Sequence, residues 1–544
     1  MIALLGILYF LAVDVDTMDV DASQYASMSR EMMESGSYLQ VYEQGRDYLD
    51  KPPFLFWISS TSMHLLGANN FAFKLPSIFF ALLALFATYR LARLYYEEQL
   101  ARLSLLVLGS SQAMFLITND IKTDTILMGW VALALWQLAA WMETKKILPF
   151  FIGCMAIAFG MMTKGPIALL VPIFALGSQV LLTQRWHLLL QPIIIPGLLL
   201  IAVLLLPMSY GLYQQFDLHP EKTVNGTQGV SGLRFFYWTQ SFGRITGESV
   251  WNNGASFTFL FENLLWAWLP WTFFLLAGIV TSVGHLLKKR LRLQAGTEGI
   301  STGGFLITYC SLALSKFQLP HYIYVVLPLA AIITAKPLYK VLHQQLPVFW
   351  NRLLQGTQWF VVVLLLGFPF LLLVWVFPEK NFLPWLLPIA TVVSVAVIRL
   401  RTLSSNKLLY ASLAAIIGAN ILLSTWFYPN LLQYQASNNA GRFVKEHQVP
   451  AGSFVMYAYT GNSYSLHFYS QQMVPVTNSI ETIKKGTWVL TSTTGKAAIE
   501  ASGRSYAIMK EGPDFHISML TPEFLNAATR PSVLKSYYIL RLEN

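Results

Sequence analysis

Long apolar runs separated by short polar interruptions fill the first 430 or so residues of this chain. A first stretch covers 1–13. Further runs lie at roughly 71–89, 103–118, 125–142, 148–163, 166–184, 188–212, 257–285, 302–314, 321–335, 357–377, 383–398 and 408–427. A helix needs about 20 apolar residues to cross a bilayer, fewer where neighbours shelter its ends. The pattern therefore predicts an α-helical polytopic membrane protein with about thirteen transmembrane helices. Met1–Val13 lacks a basic leader and a small-residue cleavage site, so it reads as a first spanning helix with a short start, not a signal peptide.

The polar interruptions alternate in charge. With the N-terminus cytoplasmic, Arg90, Arg93 and Arg102, then Lys145 and Lys146, Arg185, the Lys288–Arg292 cluster, Lys336, Lys340, Arg352, Arg399, Arg401 and Lys407 fall on one side. The acidic stretch Asp14–Asp50, the Asp120/Asp124 turn, Lys164 and the 213–256 loop fall on the other. Lysine and arginine accumulate in cytoplasmic loops, so the second set is expected outside. An odd number of spans also puts the tail outside.

Two segments break the apolar rhythm. Residues 14–74 form a long polar loop with two surface helices, Ala22–Ser35 ending at Gly36 and Phe54–Leu66 ending at Gly67. Both are expected to lie along the membrane surface. After Pro429, Phe454–Tyr459, Ser465–Tyr469 and Thr487–Thr491 read as short strands, and Asn439–Glu446 as a helix. The chain thus divides into a membrane domain, 1–429, and a small soluble α/β domain, 430–544.

Composition agrees. Only 12% of the 544 residues are charged, about half the level of a soluble domain. The net charge of +10 is a topology signal in such a chain, not evidence for nucleic-acid binding. Cys154 and Cys310 both sit in apolar runs, which argues against a disulfide framework or a cysteine metal site. There is no P-loop, nucleophile elbow or dinucleotide fingerprint.

Candidate chemistry gathers on the outer side. Asp21 stands at the mouth of a helix near an apolar boundary, where a carboxylate can act as a general base; a solvated acidic loop is the competing explanation. Asp120 and Asp124 flank a very short turn, and Asp124 sits at membrane level, where charge is costly and tends to mark function. An interfacial helix cap would also explain it. Lys51 precedes Pro52-Pro53, and Lys164 stands alone between two apolar runs. With Arg244 they form a cationic set suited to a lipid phosphate. Tyr25, Lys316 and His321 are further substrate-binding candidates, although interface anchoring also accounts for Lys316 and His321. Asp50 is the one oxygen donor suggested for a metal, and the pattern demands no cofactor.

Together, Asp21-Ala-Ser-Gln-Tyr25, Asp50-Lys51-Pro52-Pro53, Lys164-Gly165-Pro166, Leu269-Pro270-Trp271 and Leu319-Pro320-His321-Tyr322 resemble the GT-C glycosyltransferases related to protein O-mannosyltransferases, in the branch of bacterial lipid A aminoarabinose transferases. The resemblance implies the GT-C fold and sugar transfer, with inversion, from a polyprenyl (undecaprenyl) phosphate donor on the periplasmic face of a bacterial inner membrane. It implies a monomer, with lipid A or another glycan as acceptor. By motif position, Asp21 matches the catalytic aspartate of the first loop, Asp124 the acidic residue of the second outside loop, and Lys51 the lysine that meets the donor phosphate. The chain departs from the branch at Ala22 and Gln24, where glutamate and arginine are usual, and at Asp50, where glutamate is usual. Its fourth outside loop lacks the histidine associated there with zinc. A protein O-glycosyltransferase using the same donor, a lipid-linked oligosaccharide ligase or polymerase, and a lipid-linked sugar flippase or transporter are the alternatives. Ionisable residues concentrated at one surface favour an enzyme over a transporter, whose charges would lie near the midplane.

Overall fold

The computed structural model describes residues 2–246, 248, 252–294, 296–401 and 406–543; the side chains of Ile2, Arg244 and Ile245 lie outside the described set. Every apolar run falls on a helix. Among the described residues eight helices are long and apolar enough to cross a membrane, or up to nine if one bent pair counts as a single span. Four more are apolar but shorter, including Thr272–Lys288 and Ile300–Ala313.

Two runs expected to be continuous are broken. The 103–118 run becomes Glu98–Gly109 and Gln112–Asn119, bent by 50°. There Ser111 leaves the helical path and its hydroxyl caps the Met114 N–H, opening a second helix. The 257–285 run becomes Phe259–Ala267 and Thr272–Lys288, interrupted at Leu269-Pro270-Trp271. Pro270 has no N–H to donate and disfavours helix for the residue before it. The two breaks meet: the Gln112 N–H donates to Leu269 O at 2.9 Å, and the Trp271 indole to the Ser110 hydroxyl at 2.8 Å.

Helices approach closely where a side chain is missing. A Cβ on Gly129 would stand 2.6 Å from Phe80 O, and one on Gly278 2.5 Å from Ile333 O. Small residues at such crossings are how helices gain packing in lipid, where burial alone offers little.

The first loop is folded into the protein. Helix Asp21–Ser35 buries nine residues, among them Tyr25, Met28 and Met32, and ends at Gly36 with φ 69°, whose N–H returns to Met32 O. Helix Phe54–Leu66 follows Pro53. Lys74 secures the arrangement. Fully buried, its ammonium donates to Ala12 O, Val15 O and Asn119 O at 3.0, 2.6 and 3.0 Å. It ties both ends of the loop's entry to the Asp120 turn.

The tail holds a five-stranded sheet in the order Val476–Thr477, Phe454–Tyr457, Trp488–Ser492, Lys535–Leu542, Tyr506–Asp514. The first three run parallel to one another, and Lys535–Leu542 is antiparallel to both of its neighbours. The helix Ala436–Glu446 contains the expected Asn439–Glu446. The expected strand Ser465–Tyr469 is a helix, Tyr464–Ser470. It packs on Ala436–Glu446 and on Asp21–Ser35, and Ser465, Leu466, His467 and Phe468 are all buried, so no polar face was left to show the period. The two longest strands, Tyr506–Asp514 and Lys535–Leu542, were not anticipated. Lys510, Glu511 and Pro513 in one, and Lys535 and Arg541 in the other, disguise them.

Candidate active site

Four segments bring the candidate residues together: the start of helix Asp21–Ser35, the Asp50–Pro53 turn, the Asp120–Asp124 turn and the Lys164 helix end. Asp21 opens its helix, and its Oδ2 lies 3.0 Å from Lys122 Nζ. Lys122 also meets Asp120 Oδ2 at 3.1 Å, so one ammonium bridges two carboxylates. Burial alone would raise the proton affinity of Asp21. The Lys122 ammonium, and Lys51 after it, outweigh that and hold the carboxyl below its usual range, against a smaller opposing push from Asp50. Burial raises Asp120, partly offset by Lys122.

Asp124 lies in the first turn of Thr123–Thr144 and is 1% exposed. Both its oxygens sit 2.5 Å from Lys164 Nζ. Lys164 ends its own helix just before Gly165, whose φ of 101° is a conformation that favours glycine. The lysine also lies 4.2 Å from the Tyr322 ring centroid, a cation–π distance. His321 Nε2 is 3.7 Å from Asp124 Oδ2. Lys51 Nζ pairs with Asp50 Oδ2 at 2.7 Å, and the Gln240 amide donates to Asp50 O.

Two cavities converge on these groups. One, of about 850 Å³, has walls of Leu127, Ile167, Leu170, Phe174, Leu312 and Val325, with Lys51, Lys164, Asp124 and Gln240 among its few polar members. The other, of about 1440 Å³, is lined by Asp21, Asp120, Lys122 and His321 with Trp266, Tyr324 and Tyr428. Asp124 faces the first and His321 the second, so their contact joins the two linings. An apolar groove with a cationic end suits an amphiphile carrying a phosphate. A cavity with an ionised carboxylate suits a hydroxylated partner.

The other candidates separate. Tyr25 is buried, its ring edge-on to Phe56 at 5.9 Å, so it packs the first loop. Lys316 is exposed and is not among the residues lining either cavity, although Ser315 beside it lines the first. The Arg244 side chain lies outside the described residues. Around Asp50 the residues do not fit a metal ion: its carboxylate is held by Lys51. Among the described residues no three His, Cys, Asp or Glu side chains converge. Sequence reasoning gave no role to Lys122, Gln240 or Tyr322. Lys122 carried a signal, since a lysine between two aspartates at a membrane-level turn is poised to pair with both.

The fold matches a solved structure, that of ArnT from Cupriavidus metallidurans bound to undecaprenyl phosphate, with a TM-score of 0.72 over 99% of this chain and 97% of that one, at 17% identity. The chain has the GT-C glycosyltransferase fold. A family model described as dolichyl-phosphate-mannose-protein mannosyltransferase matches residues 50–210 of this GT-C chain. Among curated relatives, the undecaprenyl phosphate-alpha-4-amino-4-deoxy-L-arabinose arabinosyl transferase 2 of Proteus mirabilis is 25% identical over 308 residues, covering 56% of this chain and 52% of that protein. The corresponding transferase of Serratia proteamaculans is 27% identical over 312 residues, again 56% and 52%. The GT-C chain spans about half the length of the curated relatives it matches.

Proposed function

We propose that this protein is a membrane glycosyltransferase that moves a sugar from a polyprenyl phosphate, of the undecaprenyl type, to an acceptor on the outer face of a bacterial inner membrane. The observation that carries the reading is the pairing of cavities: an apolar groove ending at Lys51 and Lys164, beside a second, largely apolar cavity whose few charged members are Asp19, Asp21, Asp120, Lys122 and His321. The fold and the names of the relatives support the donor class. The thirteen-span topology, with first loop and tail outside, is part of the same proposal.

In this mechanism the lipid tail lies in the groove and its phosphate meets Lys51, with Lys164 and Arg244 assisting. An acceptor oxygen attacks the anomeric carbon from the side of the larger cavity. The new carbon–oxygen bond forms as the bond to the phosphate oxygen breaks, inverting the centre. The electron pair leaves with the phosphate, which the lysines stabilise. Asp21, ionised at neutral pH, orients a hydroxyl acceptor and takes its proton; toward a phosphate acceptor it orients and stabilises charge on the sugar ring. Asp124 holds Lys164 and His321 in register across the two linings.

The test is turnover of purified protein with undecaprenyl-phosphate-linked sugars, followed by mass spectrometry of lipid A, other glycans and envelope proteins as acceptors. Lipid or glycan products support the reading, and product on protein hydroxyls moves it to O-glycosylation. Sugar-lipid transport across vesicles without transfer, or full turnover by Asp21→Asn, would overturn it.

A further inference from the structure

A third cavity, of about 950 Å³, lies where the C-terminal sheet meets the first loop. Its chemistry differs from the other two. Asp19, Asp514, Tyr459, Thr460 and Asn462 line it, with Ser437 and Gln435 behind. Asp19 is buried and accepts from the Ser437 hydroxyl at 3.1 Å and from the Ser23 hydroxyl. Asp514 accepts from the Tyr459 hydroxyl at 3.3 Å. His516 and Lys535, both exposed, stand at the rim.

The pocket adjoins the cavity at Asp21. Both are lined by Asp19 and Ile517, and Asp19 is two residues from Asp21. An acceptor that reacts at Asp21 and reaches the sheet would have to pass Asp19.

We propose that this pocket is a saccharide-binding subsite that holds a sugar unit of the acceptor remote from the unit that reacts. The inference rests on the glycosyltransfer reading for the word acceptor, and on the pocket alone for the saccharide. Carboxylates, a carboxamide and hydroxyls at fixed spacing match the adjacent hydroxyls of a pyranose. The Tyr459 ring supplies an apolar wall for its carbon face. Two carboxylates disfavour a uronate or a phosphorylated sugar, because like charges in a partly dry pocket repel. The occupant is thus a neutral or amine-bearing sugar unit.

The full chain in lipid nanodiscs is titrated with hexasaccharides of glucose, of N-acetylglucosamine and of galacturonic acid, with binding read by saturation-transfer NMR. A neutral hexasaccharide binds and the galacturonate does not. Asp514→Asn weakens binding by about tenfold, and so does Asn462→Ala, which leaves the buried hydrogen bonds intact. In transfer assays both variants raise acceptor KM by a similar factor and leave kcat and donor KM unchanged. No binding of any neutral hexasaccharide at about 10 mM, equal binding of the galacturonate, or unchanged binding in both variants overturns the subsite. Variant-sensitive binding in a protein that transfers no sugar supports the saccharide pocket and removes the enzymatic reading instead.

Discussion

At the scale of single residues, the site depends on how few charges must satisfy one another. Burial works against the charge on Asp21, and Lys122 and Lys51 together outweigh it, so the carboxyl stays ionised. Asp21→Asn should lower transfer by about 10²–10⁴-fold if it acts as base, read as kcat on a hydroxyl acceptor. Lys122→Met removes the larger compensating charge and leaves the burial. The Asp21 carboxyl then rises, so the acid limb of the pH–rate profile moves to higher pH, and activity at pH about 5 falls more than at pH about 8. A parallel loss at every pH would give Lys122 no electrostatic role. These residues were partly legible. Asp21, Lys51, Asp124 and Lys164 stood out because a charge next to an apolar run has to be explained. Tyr25 did not separate from its neighbours, because a motif tyrosine in a buried helix looks the same in sequence whether it packs or binds.

At the scale of elements, the apolar period located the helices well and their breaks poorly. Serine and proline tolerate either outcome in membrane helices, where neighbours can satisfy freed backbone groups. The Ser110/Ser111 bend is held by the distant Trp271, a partner no local window contains. The tail strands were missed for a related reason: exposed lysines and glutamates interrupt the alternation on their wet face. Close helix crossings yield a direct test. Gly129→Val would drive side-chain atoms against Phe80, whereas a Cβ on Gly177 would meet nothing within 4 Å. Gly129→Val should lose folded protein in detergent gel filtration while Gly177→Val retains it. Lys74→Met should lower stability by about 2–4 kcal/mol, since three buried carbonyls lose their donor. Thermal unfolding in detergent measures it, and an unchanged midpoint would remove Lys74 from its place as the loop's anchor.

At the scale of the whole molecule, the first loop and the tail are one assembly. The Asp19 N–H donates to Gln435 Oε1 at 3.0 Å, Thr17 N–H to the Tyr469 hydroxyl at 2.9 Å, and Arg442 pairs with Asp16. Burial pushes Asp19 up from 3.8 to about 6, against hydrogen bonds from Ser23, Ser437 and Ser465. The folded protein therefore binds more protons than the unfolded chain between those values. Stability from this group is greatest below pH 3.8, falls as pH rises to about 6, and is flat beyond. Asp514 is raised too, by burial first, and adds in the same direction. Asp19→Asn should raise the unfolding midpoint at pH about 7.5 relative to wild type, with the difference vanishing near pH about 4. A variant less stable at both pH values would contradict this. None of this junction could be read from sequence, because its partners lie more than 400 residues apart, with hydrogen-bonded pairs separated by 416 and 452 positions.

That separation sets a schedule for the making of the protein. The segment carrying Asp19 and Asp21 precedes Gln435 and Tyr469 by more than 400 residues, and Lys407–Leu432, the last in chain order of the candidate membrane spans among the described residues, lies between them. Until the tail is made, the early loop lacks its partners there. A nascent chain that stalls before the tail would leave Asp19 without its Gln435 contact and Thr17 without Tyr469. The junction between the first loop and the tail therefore forms only once both distant segments have been made.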